Sequence, residues 1–286
     1  MRTYIDEEAL MKLIQRQGYL DFLRRNRNRP IVKVVSGIRR CGKSTLFRLF
    51  KDELLSEGVK TEQIISINFE ELEYEHLREY HALYQYILER MQPDEMNYIF
   101  LDEIQHVDQF HRVVDSLFVK ENTDLYITGS NAYFMSSDIA TLLTGRYVEI
   151  QMLPLSFSEF YHSKYDGNQY SLIPAYESYL RESSFPYTQQ LGGEDFDIQE
   201  YLRGLYNTLL LHDVVARLKI SDVTILQDIV RYIMSNIGSL LSPNKIANSL
   251  VSAGRKIDNK TVERYLQGLQ DSLLLYKVNR YDVRGK

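Results

Sequence analysis

The sequence predicts an α/β fold: a parallel sheet of five strands covered by helices, followed by a C-terminal all-α, winged-helix region. Three observations carry this expectation. Five short β-rich runs alternate with helix-length segments between residues 31 and 152, the pattern of strands joined by helical crossovers. Most of these runs are nearly continuous in apolar residues, as strands covered on both faces are. Beyond about residue 198 the apolar residues recur instead at the helical spacing i, i+3, i+4, i+7.

In chain order, residues 10–25 (LMKLIQRQGYLDFLRR) have the spacing of an amphipathic helix that Pro30 stops. Strands are expected at 31–36 (IVKVVS), 63–69 (QIISINF), 97–102 (NYIFLD), 124–128 (DLYIT) and 147–152 (YVEIQM). The helical segments between them fall near 43–57, 75–91, 108–120 and 137–143. PLSFSEFYH then reads as a helix start, and SSFPYTQQLGGED, with its Pro and Gly breakers, as a loop or linker.

A helical region at 198–218 precedes three amphipathic helices. The first turns Leu226, Ile229, Val230, Ile233, Met234 and Ile237 to one side, and Ser242 and Pro243 make a suitable start for the second. The third repeats Val262, Tyr265, Leu266, Leu269 and Leu273, then runs into an expected strand, LLLYKVNRYD. Three helices and a strand are the pattern of a winged helix-turn-helix. The expected division is therefore 1–153 for the sheet domain with its N-terminal helix, 154–221 for a helical linker or lid, and 222–286 for the winged helix.

Composition narrows the function classes. The net charge is −5, but residues 245–286 hold nine Lys/Arg against four Asp/Glu, so this tail is +5 and the preceding 244 residues are −10. A polyanionic partner is expected at the C-terminal end. The start, MRTYIDEEAL, lacks an apolar leader segment, and no apolar run reaches 18 residues, so a cytoplasmic protein without membrane spans is expected. The single cysteine, Cys41, rules out an intramolecular disulfide. His76 and His81, like His106 and His111, are spaced by five, where a helical zinc pair needs four.

The chemistry concentrates in Gly37-Ile38-Arg39-Arg40-Cys41-Gly42-Lys43-Ser44, which matches G-x-x-x-x-G-K-[ST] between an expected strand and an expected helix. Glycines let main-chain N–H groups curl around a triphosphate, and the helix N-terminus adds favourable partial charge. Lys43 is expected on the β- and γ-phosphates, Ser44 on Mg²⁺, and Thr45 near the α-phosphate. Arg39 and Arg40 either touch phosphate or face solvent, and Cys41 is either a reactive thiol or a small residue fitting a tight turn.

Hydrolysis would need more, and YIFLDE offers it: an apolar strand delivering Asp102 and Glu103 at its carboxyl end. Asp102 is expected to hold Mg²⁺, and Glu103 to polarise a water for attack on the γ-phosphate. The next strand ends at Ser130 and Asn131, which reach that water or cap a helix. Arg146, directly before the fifth strand, is either a surface residue or a finger reaching the γ-phosphate of a neighbouring copy.

Together GIRRCGKST (37–45), YIFLDEIQ (98–105), YITGSN (126–131) and LTGRYVEIQMLPLSFSEF (143–160) resemble the AAA-superfamily ATPases, in particular the prokaryotic group with a C-terminal domain of unknown function. The resemblance covers residues 1–286. It implies a P-loop NTPase sheet ordered 5-1-4-3-2, with ATP and Mg²⁺ as cofactors and Lys43, Glu103, Asn131 and Arg146 as catalytic residues. It also implies a nuclease-like domain that this chain stops short of. Arg217 in HDVVAR is the candidate for a second sensor arginine.

The resulting expectation is an Mg-dependent ATPase acting as a motor or switch. Its winged helix would offer Lys260, Arg264, Lys277, Arg280 and Arg284 to DNA, or else serve as a protein-docking or lid module. The alternatives are a phosphotransferase acting on a small molecule and a nucleic-acid binding module that keeps ATP as a structural ligand.

Overall fold

The computed structural model describes residues 13–130, 143, 145–165, 170–191 and 195–279. They form two compact units, Met1–Tyr201 and Leu202–Lys286.

In the first unit β1 (Val32–Gly37), β2 (Ile64–Asn68), β3 (Asn97–Asp102), β4 (Thr123–Ser130) and β5 (Tyr147–Met152) make one sheet of order β2-β3-β4-β1-β5. Every paired neighbour is parallel. This is the expected order 5-1-4-3-2 read from the other edge. The registers Gly37↔Ser130, Gly37↔Met152 and Asn68↔Asp102 bring the carboxyl ends to one edge.

Alternation along the strands sorts the core into two layers. Val32, Val34, Ile99, Leu101, Leu125 and Ile127 point to a buried cluster with Leu83 and Ile87 of α3 (Tyr80–Leu88) and Val113, Val114 and Leu117 of α4 (Phe110–Phe118). On the opposite parity Phe100 and Tyr126 stack at 4.6 Å between ring centroids. Phe47 and Phe50 of α2 (Lys43–Ser56) meet this pair edge-on or tilted.

The same parity holds a buried ion pair at the amino end of the sheet. Lys33 and Asp124 have fully buried side chains and are bonded to each other. Asp124 also accepts from Tyr126 Oη at 2.7 Å and the Asn28 N–H at 2.8 Å, and Lys33 donates to the Arg29 carbonyl at 2.8 Å. Satisfaction on every side is what makes such a pair tolerable in a core.

Two expected helices of the first unit differ in the structure. The N-terminal helix begins later: α1 spans Gln17–Asn26, and residues 13–16 are not helical. Leu13 and Ile14 instead line a pocket beside the start of α2, and the Arg16 side chain turns inward. The segment near 75–91 is broken into a 3₁₀ turn, Leu72–Leu77, and α3. Glu79 causes the break by capping α3 through the Ala82 N–H. The short helix expected at 137–143 lies largely outside the described residues. After β5 come α5 (Phe157–Tyr165), as PLSFSEFYH indicated, and α6 (Leu172–Glu182), which breaker residues hid.

The second unit contains the second half of α7 (Asp195–Thr208), a π-helical turn at Leu209–Ala216, α8 (Val223–Met234), α9 (Pro243–Ser252) and α10 (Asn259–Asp271). Asp222 and Asp258 cap α8 and α10, and Pro243 opens α9. Their inward faces include the expected Ile229, Ile233, Ile246, Leu250, Val262 and Leu269, whereas Met234 and Ile237, expected on the same face of α8, are exposed at and beyond its end. The expected strand after α10 is not formed at 273–279. Leu274 and Leu275 both donate backbone N–H bonds to the Leu269 carbonyl and pack on the helical core, so the chain folds back instead of pairing with a strand. Arg280 and Arg284 lie outside the described residues.

The buried pair of the sheet gives a first test. Asp124→Ala strands the Lys33 ammonium and should cost about 3 kcal/mol or more in chemical denaturation. Combining it with Lys33→Met should recover most of that loss.

Candidate functional site

The phosphate-type loop occupies the carboxyl edge of β1, where its backbone dictates its residues. At Gly37 an added Cβ would lie 2.2 Å from the Met152 carbonyl oxygen, so no side chain fits. At Gly42 φ is +103°, a region side chains rarely adopt, and α2 starts at the next residue. The Cys41 side chain is fully buried, and burial pushes its thiol up from its ordinary value, which favours the packing role over a reactive one.

Lys43 is buried, at 4% exposure, although it carries a charge. Its ammonium donates to the carbonyls of Gly37 at 3.3 Å and Ile38 at 3.5 Å, and lies 3.2 Å from Glu103 Oε1. Burial works to raise the Glu103 carboxyl, but Lys43 and a hydrogen bond from Gln105 outweigh it and hold the group below its usual range. Burial likewise opposes the charge on Lys43, whose neighbours, Glu103 among them, raise it above its usual value. Both shifts favour the charged forms, the directions expected of an ion pair.

Asp102 shares the parity of Phe100 and so faces α2, where Ser44 hydrogen-bonds to its carboxylate. Burial pushes Asp102 up despite that bond and a second one from Thr128. Continued as a strand, the chain would send Glu103 to the other face. It leaves the strand instead, with Glu103 in the left-handed region at φ 55° and ψ 47°, and the second carboxylate reaches Lys43. Such a conformation costs a non-glycine residue about 1 kcal/mol.

Thr128 anchors the bend by accepting the Glu103 N–H at 2.9 Å while donating to Asp102. Sequence reasoning passed over this residue. The available signal was a hydroxyl on the α2-facing parity of a mostly apolar strand.

The remaining expected residues are spread out. Arg39 pairs with Glu70 at 2.7 Å, and Arg40 is exposed in a left-handed conformation. Thr45 is half-buried in the first turn of α2 and joins Leu13, Ile14, Leu49, Met152 and Pro186 around a mostly apolar pocket. Arg146 is exposed at the amino end of β5, next to Asp115 and the Phe118 ring. From the registers Val32↔Tyr147 and Gly37↔Met152, it stands about 20 Å of strand rise from the loop. It cannot serve the loop of its own chain. Asn131 lies outside the described residues, as does the side chain of Ser130. Arg217 forms an ion pair with Asp271 at 2.7 Å within the second unit.

Ser44 and Asp102 supply the oxygen donors that a small hard cation such as Mg²⁺ takes alongside phosphate oxygens. Among the described residues no group of three or more His, Cys, Asp or Glu could hold a metal, and no helix is long and apolar enough to cross a membrane.

Comparison with known proteins agrees with this geometry. An AAA domain profile matches residues 29–161, and a domain of unknown function matches residues 173–286. An uncharacterised protein of Haemophilus influenzae is 38% identical over 277 residues, covering 96% of this chain and 68% of its own length. The uncharacterised MJ1544 of Methanocaldococcus jannaschii is 28% identical over 271 residues, covering 89% of this chain and 58% of its own length. In fold, the Walker-type ATPase PABY2304 of Pyrococcus abyssi superposes with a TM-score of 0.61 at 17% identity, over 91% of this chain and 90% of that one. The chain thus belongs to the family of AAA-type P-loop ATPase domains followed by a C-terminal domain of unknown function.

Proposed function

We propose that the first unit binds Mg-ATP at residues 37–45 and hydrolyses it, acting as a motor or switch. The observation that carries this reading is the meeting of Lys43, Asp102 and Glu103 at one edge of the sheet, with Lys43 and Glu103 3.2 Å apart. A triphosphate entering the loop offers Lys43 a stronger counter-charge than one carboxylate. Lys43 then turns to the β- and γ-phosphates, and Glu103 gives up its cation. An ionised carboxylate freed in this way is a competent base for orienting and deprotonating water.

Asp102 and Ser44 would hold Mg²⁺, which neutralises phosphate charge when bound. Burial pushes the Asp102 carboxyl up, and a cation held there would favour its ionised form. Adenine would occupy the apolar pocket beside Thr45, between Leu13, Ile14 and Met152. Asn131 would contribute a polar group toward the attacking water, and Arg146 would act on the loop of a second copy. The second unit turns Lys245, Lys256, Lys260 and Arg264 to solvent, a cationic surface suited to the phosphates of DNA.

Two substitutions test the catalytic roles. Lys43→Ala should weaken Mg-ATP binding by about 100-fold in titration calorimetry, the loss of a charged contact of about 3 kcal/mol. Glu103→Gln should keep binding and slow phosphate release by about 10²-fold or more. Normal turnover by Glu103→Gln would refute its role as base. Repeating the turnover assay with duplex DNA reads the role of the second unit: stimulation that fades with salt is expected, and indifference to DNA removes it as a partner.

The trans role of Arg146 has its own test. Arg146→Ala and Lys43→Ala proteins should each be inactive, and mixing them should restore part of the turnover. An unrescued mixture would assign Arg146 to its own chain's structure.

A further inference from the structure

Arg16 comes from the short non-helical segment ahead of α1, yet its side chain is 5% exposed. All five of its N–H donors are used. Nε and Nη2 grip Glu159 in α5 at 2.8 and 3.0 Å. Nη2 also reaches the Pro154 carbonyl at 3.1 Å, while Nη1 donates to the carbonyls of Leu153 at 2.6 Å and Cys41 at 3.2 Å. Four of these contacts tie the N-terminal segment to the LPLSFSEF stretch after β5. The fifth lies inside the phosphate loop.

That contact bears on ligand binding because of peptide geometry. The peptide bonds here are trans, so the Cys41 carbonyl and the Gly42 N–H point in opposite directions. Holding the carbonyl against Arg16 aims the Gly42 N–H away from it. The loop has little else to set this plane: Arg40 and Gly42 are both left-handed, and Cys41 itself has only one long backbone bond, to Ile38 at 3.3 Å. We propose that Arg16 is a positioning residue for triphosphate binding, fixing the peptide between Cys41 and Gly42 so that its N–H faces the phosphates.

The inference rests on the loop being a triphosphate site. A lysine could not substitute, because a single ammonium cannot span acceptors spread around a planar fork. Glu159 has its own place in this arrangement: it accepts from the Ser156 N–H at 2.8 Å and so fixes the start of α5 while orienting the guanidinium. Arg16 also borders the pocket beside Thr45, which leaves a competing role, shaping the base site alone.

Wild type, Arg16→Lys and the control Arg24→Lys are titrated with Mg-ATP and, separately, with magnesium tripolyphosphate, which has no base. Arg24 is the comparison because it sits on α1 and pairs with Glu53, away from the loop. Arg16→Lys should lose about tenfold or more toward both ligands alike, the size of one charged hydrogen bond, and Arg24→Lys should lose nothing. Unchanged affinities well below the thermal midpoint overturn the proposal and leave Arg16 a stability role. A loss toward ATP alone also overturns it, in favour of the base pocket. Should Arg16→Lys not fold, Glu159→Gln keeps the volume and loosens the fork: several-fold weaker binding of both ligands supports the proposal, and wild-type affinity for both overturns it. A wild-type chain that binds neither ligand refutes the triphosphate reading itself, and this inference falls with it.

Discussion

An ammonium group buried to 4% exposure has to find an anion, and at Lys43 that anion is Glu103. Much of the first unit can be understood as what it takes to bring these two side chains together. The sheet supplies parallel strands whose carboxyl ends share an edge, so the loop after β1 and the acids after β3 become neighbours despite some 60 intervening residues. The loop supplies two glycines where a Cβ or an ordinary φ is excluded. The end of β3 supplies a left-handed residue, without which the second acid would face away, and Thr128 on the next strand stabilises that turn from both sides.

The opposite edge is held by different means. There the Lys33–Asp124 pair fills the α2-facing layer with charge that is satisfied locally by a tyrosine hydroxyl and two backbone groups. The sheet therefore carries two buried lysine–carboxylate pairs with contrasting surroundings. The one at the amino end is closed off by fixed partners. The one at the carboxyl end sits against a loop whose main chain has few bonds of its own, and there a change of partner is mechanically feasible.

The strands and the loop were legible in the sequence because their signals are local: apolar runs bounded by breakers, and a glycine-lysine spacing that only one backbone shape explains. Asp102 was legible for the same reason. What escaped depends on contacts between distant segments. Arg16 is an unremarkable basic residue inside a helical-looking stretch until the loop, β5 and Glu159 converge on it. Lys33 reads as an interruption of an apolar strand, and its partner lies 91 residues away. Thr128 required knowing which parity of β4 faces α2. In the second unit, helical periodicity gave α8, α9 and α10 correctly. The run LLLYKVN has strand composition, but its leucines pack on helices that periodicity alone cannot place.

The exchange of partners at Lys43 is the claim on which the functional reading turns. It is tested most directly by a crystal structure of the chain with Mg²⁺ and a non-hydrolysable ATP analogue. The account predicts the Lys43 ammonium on the β- and γ-phosphate oxygens, with the Glu103 carboxylate released toward the γ-phosphate. A bound analogue that leaves Lys43 paired with Glu103, or that sits away from residues 37–45, would contradict it.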